Sequence, residues 1–374
     1  MQKIPMVDLV GQYNKIKNEV DASIQQILST GGFIGGPFVQ KIQEDLQEYL
    51  HVKHVIPCAN GTDALQVALM SLGLKPGDEV ITTSFTFIAT AEVVALLRLT
   101  PVVVDVDMET YCIDPEAVER AITPNTKAIV PVHLFGQCAN MDAIMDIARR
   151  HNLYVVEDNA QAIGANYTFK DGTVKKSGTI GNIGCTSFFP SKNLGCYGDG
   201  GAIFTDDDTL ADMIRVVVNH GMKVRYYHDY VGVNSRLDAI QAAVLDIKLK
   251  HLDEYISARQ YVAAYYDKAF ALTDKIVTPK TASFTNHVYH QYVVVLKDLD
   301  RVKMMEHLQS KGIACAIYYP VALHMQKAYA DPRYKKGDFP VCEYLCDHVL
   351  ALPIHTEFTD EQLKYVTDSV LEMC

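Results

Sequence analysis

Between residues 55 and 160 the chain repeats one arrangement. Short β-branched runs at 79–82, 102–104, 128–132 and 153–156 are separated by roughly 25 residues of helix-compatible sequence, the spacing of βα units. Such units build a mostly parallel sheet covered on both faces. The intervening segments agree, because 63–72 and 141–151 carry apolar residues at helical period and are followed by Gly73 and Asn152 as stops. The fold class is therefore α/β.

Past residue 205 the pattern changes. A helix is expected over 209–219, and one long helix from about Leu237 towards Phe270. Beyond it, 290–296 reads as a strand, 302–311 as a helix ended by Gly312, and 313–319 as another strand. This mixture suits a smaller α+β domain. A boundary near residue 245 divides the chain into a large α/β domain over 1–245 and a small α+β domain over 246–374.

Composition narrows the function classes. Lys and Arg total 34 against 45 Asp and Glu, a net charge of -11 with the basic residues scattered, so the footprint of a nucleic-acid binder is missing. The first residues lack the apolar core of a signal peptide, and Arg98, Pro101 and Asp105 interrupt the most apolar stretch. A cytoplasmic protein without a membrane span is expected. Nine cysteines with no CxxC pair read as reduced, mostly buried thiols. Cys342 and Cys346 fall on one helical face without a further ligand nearby, so core packing is expected there and no metal.

Three segments carry candidate chemistry. The run 153–156 ends in Glu157 and Asp158, which puts charge at the carboxyl end of a parallel strand, where α/β sites usually lie. One of the two is expected to face inward and to need a cationic partner, for which a protonated pyridine nitrogen qualifies. A helix cap or a surface ion pair is the plainer alternative. Lys192 stands in an apolar turn, TSFFPSKNLG, followed by GDGG, a setting for a buried lysine of lowered pKa that reacts with carbonyls. Ser187 in that turn offers a hydroxyl to a phosphate, or else caps the turn. At 59–63, ANGTD takes a strand through Gly61 into a helix and presents free N–H groups to an anion, unless Thr62 is simply the N-cap. GxxxxGK[ST] and GxGxxG are both missing, which disfavours a P-loop enzyme and an NAD-linked dehydrogenase. One of Phe85 and Phe87 is a candidate to stack on a flat ring, with core packing as the alternative for both.

Taken together, NGTDAL at 60–65, VVEDNAQA at 155–162, SFFPSKNLGCYGDGGAIFT at 187–205 and VNSRLDAIQAA at 233–243 resemble the sugar aminotransferases of the DegT/DnrJ/EryC1/StrS family, from about Pro5 to the C-terminus. The resemblance implies the fold type I architecture of aspartate aminotransferase, with a large mixed, mostly parallel sheet and a smaller α+β domain. It implies pyridoxal 5'-phosphate (PLP) attached to Lys192, Asp158 on the pyridine nitrogen and Gln161 beside the phenolic oxygen. Gly61, Thr62, Asp63 and Ser187 would hold the phosphate and Phe87 would stack on the ring. Asn234 would reach the phosphate from the neighbouring subunit of a homodimer with shared sites, while Arg236, Tyr318 and Tyr319 would meet the sugar.

The implied reaction moves an amino group from L-glutamate to a UDP-linked keto sugar, at C3 of a 2-acetamido-2-deoxy-3-keto hexuronic acid, for surface polysaccharide such as lipopolysaccharide O-antigen. The chain departs from the family pattern at Tyr318, where a histidine is usual, and at Phe38, where a glutamate is usual. Amination of another nucleotide-linked 3-keto or 4-keto deoxyhexose is the alternative. A dehydratase on the same fold is disfavoured by the lysine itself, and a non-catalytic regulator by the intact lysine and the acidic charge.

Overall fold

The computed structural model describes residues 3–374. Its first eleven strands are β1 (His54–Cys58), β2 (Glu79–Thr83), β3 (Thr100–Val104), β4 (Thr126–Val130), β5 (Tyr154–Asp158), a hairpin of β6 (Asn166–Thr168) and β7 (Val174–Lys176), β8 (Ile183–Ser187), β9 (Gly201–Thr205), and a second hairpin of β10 (Met222–Val224) and β11 (Tyr227–His228). Seven of these form one sheet in the order β1-β9-β8-β5-β4-β2-β3. β9 pairs antiparallel with both of its neighbours and every other pairing is parallel. Six strands therefore point the same way, and their carboxyl ends share one edge.

Adjacent residues in each strand serve opposite faces, and both faces are dry. Ile56, Val80, Val130, Val156 and Ile203 enter one core beneath α3 (Gly61–Ser71) and α7 (Asp208–Val217). Val55, Ile81, Ile129, Val155 and Phe204 enter the other, with Ile42 and Leu46 of α2 (Pro37–Leu50), Ile144 of α6 (Met141–His151), and Ala242 and Leu245 of α8 (Ala239–Leu249). This two-sided burial is why the strands read as continuous apolar runs. α1 (Leu9–Thr30) closes over α8, α4 (Ala89–Leu96) follows β2, and α5 (Pro115–Ala121) follows β3.

A second sheet is antiparallel and three-stranded: β12 (Ile276–Val277), β13 (Tyr292–Leu296) and β14 (Val349–Leu352). Its outer face packs Tyr292, Val294 and Leu350 with Tyr266 of α9 (Leu252–Phe270), Leu308 of α10 (Arg301–Ser310) and Val366 of α12 (Asp360–Leu371). Its inner face, with Val293, Val295 and Ala351, joins the large core together with Cys342, Leu345 and Cys346 of α11 (Pro340–His348).

α6 occupies the residues expected of it, held by the Asn140 side chain at its start and by Asn152 at φ 54° at its end. The long helix expected from Leu237 is instead two helices. His251, at φ -104° and ψ 0°, leaves helical geometry between α8 and α9. The expected strand over 313–319 does not form. Only single bridges, Ile313 to Ile4 and Ala316 to Ala351, pin that segment as it crosses towards the large sheet. All nine cysteines are free, seven of them buried. Among the described residues no helix is long and apolar enough to cross a membrane.

Candidate active site

β5 delivers two buried carboxylates to the carboxyl edge of the sheet. Glu157 points into the protein, where His133 Nε2 lies 2.7 Å from Oε2 and the N–H groups of Gly178, Ile180 and Gly181 donate at 2.9, 2.6 and 2.6 Å. Burial pushes its carboxyl up, but His133 and these donors outweigh that and hold it below the usual range. Asp158 is differently placed, accepting from Thr90 Oγ1 at 2.8 Å and from the Ala160 N–H at 3.2 Å. Burial dominates and its carboxyl is raised, despite those bonds and the attraction of Lys192. The single inward carboxylate expected from sequence is thus two: one saturated by the protein, the other lacking a cation in hydrogen-bond contact among the described residues.

Lys192 lies on the turn joining β8 to β9, closed by the Cys196 N–H on the Phe188 carbonyl and the Phe188 N–H on the Gly200 carbonyl, at 2.8 and 2.7 Å. Burial lowers its amine to about 8, opposed by the charge of Asp158. Among the described residues nothing hydrogen-bonds that amine. The turn is fastened from α8, where Lys248 Nζ donates to the Gly195 carbonyl and Gln241 Oε1 accepts the Tyr197 N–H, each at 2.8 Å.

The start of α3 meets the end of β8 in the same place. A Cβ on Gly61 would fall 2.6 Å from Ser187 Cβ, and one on Gly201 would fall 2.5 Å from the Asn60 backbone, so only glycine lets these three segments approach. The cap of α3 is Asn60, whose side chain accepts the Asp63 N–H at 2.8 Å, and not Thr62. Asparagine one residue before the glycine satisfies the third helical N–H and leaves those of Gly61 and Thr62 beside Ser187.

Of the two phenylalanines after β2, Phe85 is buried in edge contacts with Tyr111, Phe135 and Tyr319, whereas Phe87 is 54 % exposed and free to stack. Gln161 accepts the Phe135 N–H and donates to Tyr319. Tyr318 is half-buried with its ring edge-on to Tyr319. Asn234 and Arg236 are exposed, and no described contact joins their side chains to the rest of this cluster. Between them, Ser235 Oγ accepts the Ala59 N–H at 3.0 Å and docks their segment beside the start of α3. Sequence reading missed Thr90, His133 and the His290 ring, which is buried close enough to feel the charge of Lys192. None carries a local signal, since each acquires its role only when distant segments meet.

These residues fit PLP. Asp158 lacks the cation that a pyridinium supplies, the glycine-lined cradle at Ser187 offers donors to a phosphate, and an amine of lowered basicity lies within reach of Asp158's field. The fold and this set of groups define an aminotransferase of fold type I. The chain belongs to the DegT/DnrJ/EryC1/StrS aminotransferase family, whose model matches residues 14–371.

The chain is 47% identical to the UDP-2-acetamido-2-deoxy-3-oxo-D-glucuronate aminotransferase of Pseudomonas aeruginosa, over 97% of this chain and 98% of that one. It is 45% identical to a protein of Geobacillus stearothermophilus named pleiotropic regulatory protein, over 99% and 98%. Among solved structures it is similar to DesV of S. venezuelae in complex with a ketimine intermediate, with a TM-score of 0.94, 40% identity and 100% and 98% of the chains covered.

Proposed function

We propose that this enzyme carries PLP on Lys192 and transfers the amino group of L-glutamate to C3 of a UDP-linked 2-acetamido-2-deoxy-3-keto hexuronic acid. The observation that carries the reading is the pairing of a lysine of lowered basicity with a buried, cation-seeking carboxylate at the strand ends. When bound, PLP supplies a carbonyl carbon that exchanges amino groups and a ring that withdraws electrons. Asp158 keeps the ring nitrogen protonated. Lys192 Nζ, once released, would take the proton from the donor's Cα and return it to the former carbonyl carbon of the cofactor, on the other side of the transferred nitrogen. Gly61, Thr62 and Ser187 anchor the phosphate beside Asp63, whose N–H Asn60 already holds, Phe87 covers the ring and Gln161 faces its oxygen.

The substrate reading draws on the Pseudomonas relative, and Arg236, Tyr318 and Tyr319 are the residues assigned to the sugar. The exposure of Asn234 and Arg236 supports a homodimer in which each subunit completes its partner's site. The division at residue 245 remains our reading of the domains, and the free thiols support a reducing, cytoplasmic setting. Tyr318 in place of the family's histidine favours one second reading, amination of another keto sugar. Competition between UDP-linked 3-keto and 4-keto sugars, with the position of the new amine read by NMR, decides between them. Amination at C4 alone defeats the C3 assignment. No amination of any sugar, with cofactor bound, returns the chain to the regulatory class.

A further inference from the structure

The amide of Gln161 is fixed at both ends. Its Oε1 accepts the Phe135 N–H at 2.7 Å and its Nε2 donates to the Tyr319 hydroxyl at 3.0 Å. A backbone N–H can only donate, so the oxygen must face Phe135 and the NH2 group must face away from it. One of the two N–H bonds is spent on Tyr319. The other has no protein acceptor among the described residues.

Tyr319 is itself immobilised. Its ring stacks on Phe135 at 6.3 Å and 22°, meets Phe85 edge-on at 6.0 Å and lies 6.4 Å from Phe87. The chain beyond it is tied to the loop after β2, where the Leu323 N–H donates to the Ser84 carbonyl at 2.9 Å. His324 bridges Ser84 Oγ at 2.8 Å and Glu343 Oε1 at 3.1 Å. A hydroxyl from the C-terminal third of the chain is thus locked onto a side chain three residues past Asp158.

We propose that Tyr319 is a positioning residue whose hydroxyl holds the Gln161 amide so that its free N–H is aimed at the phenolic oxygen of bound PLP, and that it thereby sets the cofactor's proton balance. The proposal rests on the placement of Gln161 beside that oxygen. A donor there favours the form in which the oxygen carries most negative charge, the one that prevails at high pH. Without the Tyr319 hydroxyl the amide can turn about its single remaining bond, the donor weakens, and the protonated form persists to higher pH.

The test is the absorbance of the protein-bound cofactor followed against pH. Tyr319→Phe keeps the aromatic contacts and removes only the hydroxyl, so the midpoint should rise by roughly 0.5–1 pH unit, the worth of one hydrogen bond. Gln161→Ala should raise it at least as far, and the double variant no further than Gln161→Ala alone. Ser84→Ala, which loosens the His324 anchor without touching the tyrosine, gives an independent reading and should move the midpoint the same way. If Gln161→Ala moves the midpoint while Tyr319→Phe and Ser84→Ala do not, or if the effects of Tyr319→Phe and Gln161→Ala simply add, the positioning role is overturned and the site stands. If Gln161→Ala leaves the titration unchanged, the placement of Gln161 is wrong and the proposal falls with it.

Discussion

Thr90, in the first turn of α4, gives its hydroxyl proton to Asp158 Oδ2 at 2.8 Å. It is the only side chain that hydrogen-bonds this carboxylate among the described residues, and it steadies the ionised form against the cost of burial. Thr90→Val keeps the shape and removes the bond. A hydrogen bond to a charged group is worth ~1.5 kcal/mol, so PLP affinity should fall roughly 10-fold, measured by equilibrium titration of the apoprotein.

If Lys192 takes up PLP as proposed, capture by the apoprotein needs its neutral amine. Because burial lowers that amine to about 8, the capture rate should climb with pH and level off above it, where an ordinary lysine would still be gaining. The charge of Asp158 works against the lowering. Asp158→Asn should therefore move the midpoint of this profile to lower pH, and stopped-flow capture rates across the pH range check both statements.

Glu157 accepts a hydrogen bond from His133 Nε2 at full burial, while the ring's other nitrogen accepts the Ala139 N–H. Glu157→Gln would set an NH2 group against at least one backbone N–H, since both oxygens already accept from the chain. Leaving a buried donor without its acceptor in this way costs on the order of 1–3 kcal/mol, readable by urea unfolding at pH 7. The wild-type carboxyl is depressed in the folded state, so its contribution is present above the unfolded pKa of about 4.3 and is lost as pH falls through the folded value. The gap between wild type and Glu157→Gln should therefore narrow in acid.

If Asn234 completes the partner's phosphate site, Lys192→Ala and Asn234→Ala each abolish turnover alone and complement each other when mixed. A hybrid dimer then holds one site with both defects and one with neither. Equal mixing with free subunit exchange should restore about a quarter of wild-type sites. No recovery after exchange has been verified by native mass spectrometry would exclude sharing through Asn234.

Arg236 is exposed and makes no ion pair among the described residues, as a residue held ready for an anionic substrate would be. Arg236→Ala should raise the KM for the sugar nucleotide by roughly 10-fold or more while the glutamate half-reaction keeps its rate. Single-turnover spectroscopy of each half-reaction separates the two effects.

The large sheet was legible because each strand is covered on both faces, which writes its signal into adjacent residues such as Val155 and Val156. Residues 313–319 carry a similar apolar signal for another reason: Ile313 enters the small sheet's core while Ile317 and Tyr319 pack against the large one. Nothing in the sequence near Lys250 and His251 marks a helix break, since neither residue is a breaker and the bend comes from what α8 and α9 pack against. Lys192 and Asp158 announce themselves by standing charged in apolar surroundings. Thr90 and Tyr319 do not, because an ordinary threonine and tyrosine gain their roles only through partners 68 and 158 positions away.

The single reversed strand has a consequence for how this catalyst can change. β9 returns beside β8 directly after the lysine turn, so Gly201 against Asn60, Ser187 against Gly61, and Lys192 between them all hang on one pairing register. Slipping β9 by one residue would turn its side chains to the opposite faces and wedge a Cβ into the cradle. The cradle and the lysine turn are geared together, and neither can be retuned without the other. Room for new chemistry lies instead in the strap at 317–322, suspended from Ser84 and His324, where a residue such as Tyr318 can be exchanged without disturbing a strand.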